Sequence, residues 1–321
     1  MNNENFKPVI PRIAVVIPCH NEALAIAMVI HEVRAALPLA AIHVFDNCST
    51  DQTSKIATDS GATVTQVAMK GKGYVVRRMF ADVEADIYLL VDGDATYDLS
   101  DARTFINRLQ RDKLDMVVGC RVDDKQDDQT YRLGHRFGNQ MLTGSVSMLF
   151  GGSFTDMLSG YRVFSRRFAK SFPTASKGFE IETELTVHAL ELCMPYVEIP
   201  VIYRSRPTGS ESKLDTYKDG FRILGTITKL FVTERPFTFF SVIAAVLALT
   251  SVGLSIPLAL TYLETGLVPR FPTAVLATGF MILSALSVVC GAVLNTVTIG
   301  RQEVKRLHYL SIPATYHLGE V

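Results

Sequence analysis

The sequence lacks three features that would assign it to common functional classes. Charge of one sign is not in excess, because 32 basic residues balance 32 acidic ones over 321 residues, so no overall field favours nucleic acid as a partner. The five cysteines form no C-x-x-C pair, which argues against a structural zinc site and a secreted disulfide framework. No basic segment followed by an apolar run occupies residues 1–9, so we predict no signal peptide and a cytosolic setting.

Charge is also missing from two long segments near the C-terminus. Residues 236–263 and 271–300 contain no Asp, Glu, Lys or Arg, and apolar residues make up 48% of the whole chain. Each segment can cross a hydrocarbon core of ~30 Å at a rise of ~1.5 Å per residue. We predict two transmembrane helices, with a kink at Pro257 in the first; buried helices of a soluble protein are the less favoured alternative. Basic residues flank the pair, which places both ends of this hairpin on the cytoplasmic side.

The segment before the hairpin, residues 214–235, has an amphipathic pattern of aromatic and aliphatic residues at helical spacing. One or two helices along the membrane interface are predicted, and an ordinary surface helix of the soluble domain is the alternative. The expected domains are therefore a cytoplasmic domain over 1–213, juxtamembrane helices over 214–235, the hairpin over 236–300 and a cytoplasmic tail over 301–321.

The N-terminal part alternates short apolar runs with helical patterns. Such alternation predicts an α/β fold with a mainly parallel, Rossmann-like sheet that is covered on both faces. In such sheets the ligand binds at the carboxyl ends of the strands. The predicted strands cover residues 12–18, 42–46, 63–67, 86–92, 115–120 and 196–203, and the predicted helices lie near 22–36, 51–60, 71–84 and 99–111.

Polar groups follow the first four of these strands. Alone, each group is a weak signal, since Ser49, Thr50 or Asp51 can equally cap the next helix. Together, at one edge of a sheet, they predict a binding site. The candidates are Pro18, Asn21 and Glu22 after the first strand, Asp46, Asn47 and Ser49 after the second, Lys72 after the third, and Asp92, Gly93 and Asp94 after the fourth.

A nucleoside diphosphate-sugar is a ligand that these groups suit. Asp46 can accept a hydrogen bond from a base N–H, and Lys72, in a flexible frame of two glycines, can pair with phosphate. Asp92 and Asp94 are two carboxylates separated by one small residue, and they suit Mg²⁺ or Mn²⁺ bridging a diphosphate. A cation there would neutralise the charge on the departing nucleotide.

The motifs IPCHNE (17–22), DNCSTD (46–51), GKG (71–73) and DGD (92–94) resemble those of family 2 inverting glycosyltransferases with a GT-A fold. The segments DMLSGYR (156–162), GFEIETEL (178–185) and PVIYRSRPTGSESKL (200–214), followed by the hairpin, resemble the branch of dolichyl-phosphate mannose synthases and bacterial polyprenyl-phosphate glucosyltransferases. The resemblance covers residues 12–300. Cys48 and the acidic segment 123–131 depart from the family's pattern.

This resemblance implies transfer of a hexose to a polyprenyl phosphate on the cytoplasmic face of a bacterial inner membrane. UDP-glucose is the favoured donor and GDP-mannose the alternative, Mg²⁺ or Mn²⁺ is the expected cofactor, and a homo-oligomer, a tetramer, is suspected. Asp156 takes the place of a base or an acceptor-orienting carboxylate, or it forms a structural ion pair with Arg162. The expected catalytic residues are Asp94, Asp156, Arg121 and Arg162.

An anionic acceptor approaching an anionic donor requires basic side chains to relieve the repulsion. For the acceptor phosphate the candidates are Arg121, Arg136, Arg204, Arg206 and Lys213. Glu180 and Glu184, on a helical face from which Glu182 turns away, either orient these arginines or form a solvated surface.

Two other functions are considered. A processive synthase would carry a Q-x-x-R-W segment, which the sequence lacks. A catalytically silent membrane scaffold would have no need to keep Asp92, Asp94 and Lys72.

Overall fold

The structure is a computed structural model that describes residues 11–123, 133–207, 209 and 216–314, with side chains over 11–122, 141–207, 209 and 220–314. The chain forms two compact units. Residues 1–226 and 305–321 make up the first, and residues 227–304 make up the second.

The first unit is built around a sheet. Within the described residues, seven strands lie in the order β3-β2-β1-β4-β6-β5-β7. Only β6 runs antiparallel to its neighbours, β4 and β5, so the predicted mainly parallel sheet is confirmed. The strands are β1 (Ile13–Cys19), β2 (Ala41–Asp46), β3 (Thr63–Gln66), β4 (Ile87–Leu90), β5 (Met116–Asp123), β6 (Arg162–Ser165) and β7 (Tyr196–Tyr203).

Helices cover both faces of this sheet. Successive side chains of a strand point to opposite faces, so a strand with a continuous apolar run has apolar side chains to bury on both. Val15 and Ile17 of β1 belong to one apolar cluster, with residues of α1 and α4, whereas Val16 belongs to a second, with residues of α3 and α7. The helices of this unit are α1 (Ile26–Ala36), α2 (Thr53–Asp59), α3 (Lys72–Asp82), α4 (Ala102–Arg111), α5 (Leu133–Phe150), α6 (Arg166–Ser171) and α7 (Ile181–Glu191).

The antiparallel strand β6 was not predicted from the sequence patterns. Its direction determines which segment of the chain lies at the edge of the sheet where the parallel strands end. Since β6 runs against its neighbours, its first residue, Arg162, lies beside Leu90 and Val118, towards the carboxyl ends of β4 and β5. The segment that precedes β6 therefore lies at the edge where the parallel strands end.

The second unit contains two long apolar helices, α9 (Pro236–Thr265) and most of α10 (Phe271–Ser311). The two helices pack antiparallel through small residues: the Ser251 hydroxyl donates to the Ala277 carbonyl over 2.7 Å, and the Ser284 hydroxyl to the Ala244 carbonyl over 2.8 Å. Both are long and apolar enough to cross a membrane. Two long apolar helices packed antiparallel agree with a hairpin, and its crossing of a membrane stays a prediction.

The divisions of the chain at residues 226/227 and 304/305 fall within two helices. A single helix, α8 (Thr216–Glu234), covers most of the predicted juxtamembrane segment. The last helix continues eleven residues beyond Gly300, to Ser311. Its final turns belong to the first unit, where Lys305 Nζ lies 2.8 Å from a Glu191 carboxylate oxygen and the Tyr309 hydroxyl donates to Asp115 over 2.7 Å.

Candidate active site

A lysine lies between two carboxylates at the carboxyl edge of the sheet. Lys72, the first residue of α3, places its Nζ 2.6 Å from Asp92 Oδ1 and 2.6 Å from Glu182 Oε1. Asp92 follows β4, and Glu182 lies in the first turn of α7. Three separate elements therefore contribute to one charged cluster.

The glycines on either side of Lys72 allow a close backbone contact. A Cβ at Gly71 would lie 2.0 Å from the Lys177 carbonyl oxygen, and one at Gly73 would lie 2.2 Å from that of Ser176. The Gly73 N–H donates to the Lys177 carbonyl over 3.2 Å. The start of α3 is thus fixed against the segment before α7, in contrast to the flexible frame that the sequence suggested.

Charge pairing keeps Lys72 protonated. Burial alone would lower the pKa of its ammonium group, but the carboxylates of Asp92 and Glu182 raise the pKa above its usual range. Burial raises the pKa of Glu182, and the neighbouring Lys72 offsets part of that effect.

The second aspartate of the DGD motif also faces a basic side chain. Arg206 Nη2 lies 2.5 Å from Asp94 Oδ2. The other oxygen of Asp94 accepts from the Thr96 hydroxyl over 2.7 Å and from the Thr96 N–H over 3.2 Å. Gly93 forms part of the turn between the two aspartates.

The segment before β6 packs directly against Asp92. A Cβ on Gly160 would lie 2.1 Å from Asp92 Oδ2. The Gly160 N–H donates to the Tyr97 hydroxyl over 2.9 Å, and this hydroxyl also lies 3.3 Å from the Ser159 Oγ. The segment is therefore anchored where it touches the carboxylate.

Arg162 is the largest fully buried side chain among the described residues. Its Nε donates to the Ser159 carbonyl over 3.0 Å, its Nη1 to the Thr186 hydroxyl over 3.0 Å, and its Nη2 to the Met157 carbonyl. These contacts hold the segment before β6. With no accessible surface, the guanidinium is placed for that structural role, and the expected contact between Arg162 and substrate does not fit this position.

Asp156 pairs with Arg121 instead. Arg121 Nε and Nη2 each lie 2.7 Å from a different oxygen of Asp156, and the Arg121 N–H donates to the same carboxylate over 3.1 Å. The guanidinium also lies over the Tyr203 ring, 5.6 Å from its centroid. A planar, two-point pair of this kind fixes the orientation of both side chains.

At the end of β2, Asp46 is buried and receives several donors. It accepts from the Ser49 N–H over 3.0 Å, from the Gln66 amide over 3.2 Å and from the Ser54 hydroxyl. Burial on its own would raise the pKa of Asp46, but these hydrogen bonds from Ser49, Ser54 and Gln66 lower it overall. The carboxylate is therefore ionised at neutral pH.

The remaining groups of the predicted nucleotide site mainly brace the loops around it. Asn47 Nδ2 donates to the Met69 carbonyl over 2.7 Å, and its Oδ1 accepts from the Gly71 N–H over 2.6 Å. Asn21 Oδ1 accepts from the Thr50 N–H over 2.7 Å. In addition, the Asn21 N–H donates to the Ser49 hydroxyl and the Glu22 N–H donates to the Thr53 hydroxyl. Pro18 lies in β1 opposite Phe45.

The residues predicted to bind the acceptor phosphate do not all lie in one place. Arg121 and Arg206 lie at the carboxyl edge, whereas Arg204 pairs with Asp98 over 2.9 Å and with Glu32 over 3.1 Å. Lys213 and the side chain of Arg136 fall outside the described residues.

Glu182 is the site residue that the sequence interpretation missed, since it placed this side chain away from the site. Glu180 and Glu184 instead accept hydrogen bonds from backbone N–H groups of residues 175–178. One signal was present in the sequence: on a helix, position 182 lies beside positions 185, 186 and 189, and Leu185 and Ala189 are apolar. A glutamate on such a stripe faces inwards.

Within the described part of the chain, no group of three or more His, Cys, Asp or Glu side chains is arranged to hold a metal ion. The DGD motif supplies two carboxylates at this edge, and Mg²⁺ commonly binds to proteins through only one or two carboxylates plus phosphates.

Sequence comparisons identify relatives. A model of the family described as "Glycosyl transferase family 2" matches residues 14–172. The Glycosyltransferase AglJ of Haloferax volcanii is 31% identical over 301 residues, which cover 93% of this chain and 98% of the relative. Protein RfbJ of Shigella flexneri is 60% identical over 124 residues, which cover 39% of this chain and 95% of the relative.

A solved structure shows the same fold. Glucosyl-3-phosphoglycerate synthase from Mycobacterium tuberculosis, in complex with Mn²⁺, UDP-Glc and phosphoglyceric acid, aligns with a TM-score of 0.57 and 20% identity, covering 69% of this chain and 80% of that one. This likeness confirms the predicted GT-A-like fold.

Proposed function

The chain belongs to glycosyltransferase family 2 and is a glycosyltransferase, and we propose that it transfers a hexose, glucose from UDP-glucose, to a polyprenyl phosphate. The observation that carries this proposal is the cluster of Asp92, Asp94, Lys72 and Arg206 at the carboxyl edge of the sheet. Two carboxylates and Lys72 suit a metal-bound diphosphate that must leave with its charge neutralised, and Arg206 adds positive charge for a second anion, the acceptor phosphate.

The residues at this edge fit a divalent cation. Asp92 and Asp94 each present a carboxylate oxygen to a positively charged group at this edge, and carboxylate oxygens are ligands of Mg²⁺ and Mn²⁺. These two residues would hold Mg²⁺ or Mn²⁺, and the cation would neutralise charge on the departing nucleoside diphosphate. The Mn²⁺ and UDP-Glc bound by the mycobacterial synthase support this assignment.

For the nucleotide, we assign Asp46 to the base. Its two oxygens accept from Ser54, from Gln66 and from both the backbone N–H and the side chain of Ser49. These donors match the roughly four acceptor positions of a carboxylate, so a base N–H would replace one of them. The depressed pKa of Asp46 keeps this group an acceptor at neutral pH.

For the acceptor, we assign Arg206 and the Arg121–Asp156 pair, together with Lys213 and Arg136 from the sequence. A phosphomonoester has its second pKa near ~6, so the attacking oxygen is already anionic and needs little deprotonation. This oxygen attacks the anomeric carbon, the bond to the nucleoside diphosphate breaks, and the configuration inverts. Arginines lower the repulsion between the two anions, and Asp156 keeps Arg121 oriented.

The two apolar helices support membrane attachment. A long prenyl chain holds its phosphate at the level of the lipid headgroups, so the enzyme must work there. We propose that α9 and α10 cross the bacterial inner membrane with the first unit on the cytoplasmic face. A homo-oligomer, a tetramer, is proposed from the resemblance to bacterial relatives, and light scattering of the detergent-solubilised enzyme measures it.

A thermal-shift panel tests the donor. With Mn²⁺ present, UDP-glucose at about 100 times its Kd should add ~2.7 kcal/mol to the free energy of unfolding. A rise in Tm with GDP-mannose but not with UDP-glucose would identify GDP-mannose as the donor in place of UDP-glucose. The absence of any response to nucleotide-sugars, with or without Mn²⁺, would contradict the proposal and favour a silent scaffold.

Substitution of Arg206 tests the acceptor assignment. We expect Arg206→Ala to raise the KM for polyprenyl phosphate or lower kcat, while the Kd for the nucleotide changes little. Arg34→Ala is the control, because Arg34 is bound to the Gly61 carbonyl at a distance of 3.0 Å. If nucleotide binding collapses in Arg206→Ala and acceptor kinetics are spared, Arg206 belongs to the donor diphosphate.

A further inference from the structure

The two carboxylates that contact Lys72 differ in access to solvent. The side chain of Asp92 is 27% exposed, whereas that of Glu182 is 5% exposed. A ligand that enters the site can therefore reach Asp92, while Glu182 stays behind the lysine.

Glu182 is a costly residue to bury. Its Oε1 contacts Lys72, but its buried Oε2 has no hydrogen-bond partner within the described side chains. A buried, unsatisfied carboxylate oxygen destabilises the folded protein. Well-packed apolar residues would often be at least as stabilising as a buried ion pair, so stability alone does not account for Glu182.

We propose that Glu182 is a positioning residue that keeps Lys72 in the donor site when Asp92 turns from the lysine to the metal-bound diphosphate. The inference rests on the proposed function. Without Glu182, the buried ammonium group of Lys72 would have no fixed carboxylate partner once Asp92 binds a cation. With Glu182 at 2.6 Å, Lys72 keeps one fixed partner and directs its remaining N–H donors to a phosphate oxygen.

The surroundings of Glu182 fix its position. It lies in the first turn of α7, and its neighbour Ile181 is fully buried in the core. The Lys72 Nζ also lies over the ring of Phe179, 5.9 Å from its centroid. The contact of Gly71 and Gly73 with residues 176 and 177 joins the start of α3 to the same segment. Both ends of the ion pair are thus held by backbone.

Binding of UDP in the presence of Mn²⁺ to the full-length enzyme in detergent, measured by calorimetry, tests the inference. Glu182→Gln keeps the shape of the side chain and removes its charge. We expect the Kd to rise about tenfold, since a hydrogen bond to a charged group is worth about that factor or more. In a Lys72→Met background, adding Glu182→Gln should change the Kd less than about twofold, because the partner is gone.

A matched control comes from the opposite edge of the sheet. Asp115 is also fully buried and pairs with Arg167 over 2.5 Å, just before β5 begins. Asp115→Asn should lower the Tm and leave the Kd unchanged. If Glu182→Gln does not fold, Glu182→Asp, which keeps the charge on a shorter side chain, carries the test, with an expected Kd above that of the wild type.

The outcomes are distinguishable. A folded Glu182 variant that binds like the wild type, or one that weakens binding equally with and without Lys72, overturns the positioning role while the proposed function stands. A wild type that binds no nucleoside diphosphate with Mn²⁺ overturns the proposed function, and this inference with it.

Discussion

Replacing Gly160 with alanine perturbs the contact between the segment before β6 and Asp92. The added Cβ would lie 2.1 Å from Oδ2, 2.7 Å from Cγ and 3.0 Å from Oδ1 of Asp92. All three distances are below ordinary contact, so the whole carboxylate or the segment itself must move. The segment is held by Tyr97 and Arg162, and we therefore expect Asp92 to move.

The size of the effect follows from the geometry. An ordinary contact begins at 3.4 Å, so relief of the 2.1 Å approach requires a displacement of about 1.3 Å. A misplacement of ~1 Å at a reacting centre costs about 100-fold in rate, and overpacking costs ~1–3 kcal/mol of stability. Gly160→Ala should therefore lower kcat about 100-fold and raise the concentration of metal needed for half-maximal rate.

Steady-state transfer with titrated Mn²⁺ measures both quantities. Gly144→Ala is the matched control, because nothing beyond its chain neighbours and the adjacent backbone of its own helix lies within 4 Å of the position of its Cβ. A Gly160→Ala enzyme with wild-type kcat and metal dependence would refute the argument that this segment positions Asp92.

Three further results are expected. Asp94→Ala, and less completely Asp92→Ala, should abolish metal-dependent turnover without unfolding the enzyme; undiminished activity of chelator-treated wild type would contradict this. Arg162→Met should lower the free energy of unfolding by ~3 kcal/mol, because three buried acceptors lose their donor, and denaturant titration should detect the loss. Asp46→Asn should lower the free energy of unfolding by about 2 kcal/mol at neutral pH. The folded pKa of Asp46 is depressed below 3.8, so the difference in free energy of unfolding between wild type and Asp46→Asn should be complete above pH 3.8 and shrink as pH falls through the folded pKa. A pH-independent difference would refute the argument that hydrogen bonds to the ionised Asp46 stabilise the fold.

The sheet and the hairpin were predictable because their signals are local. Continuous apolar runs such as residues 12–18 and 86–92 become strands when both faces are covered, and long uncharged segments become apolar helices. The strand β6 was missed, because only its two central residues, Val163 and Phe164, are apolar and its direction depends on pairing with β4 and β5.

The DGD motif and Lys72 were predictable as a group, since the carboxyl ends of parallel strands meet at one edge. Their partners were not. The contact of Lys72 with Glu182 joins residues 110 positions apart in the chain, and the burial of Arg162 depends on carbonyl groups of the segment that it holds. Helical spacing indicates that Glu182 faces inwards, but which side chain it meets there depends on tertiary packing, which neither spacing nor residue type reveals.

The most direct test of the proposed reaction incubates the detergent-solubilised enzyme with Mn²⁺, UDP-glucose labelled in the sugar and a short polyprenyl phosphate. The account predicts labelled sugar in the organic phase, release of one UDP per sugar transferred, inverted anomeric configuration in the product, and none of this in Asp94→Ala. Label that stays in the aqueous phase while UDP is released, or transfer to a lipid without phosphate, would contradict the account.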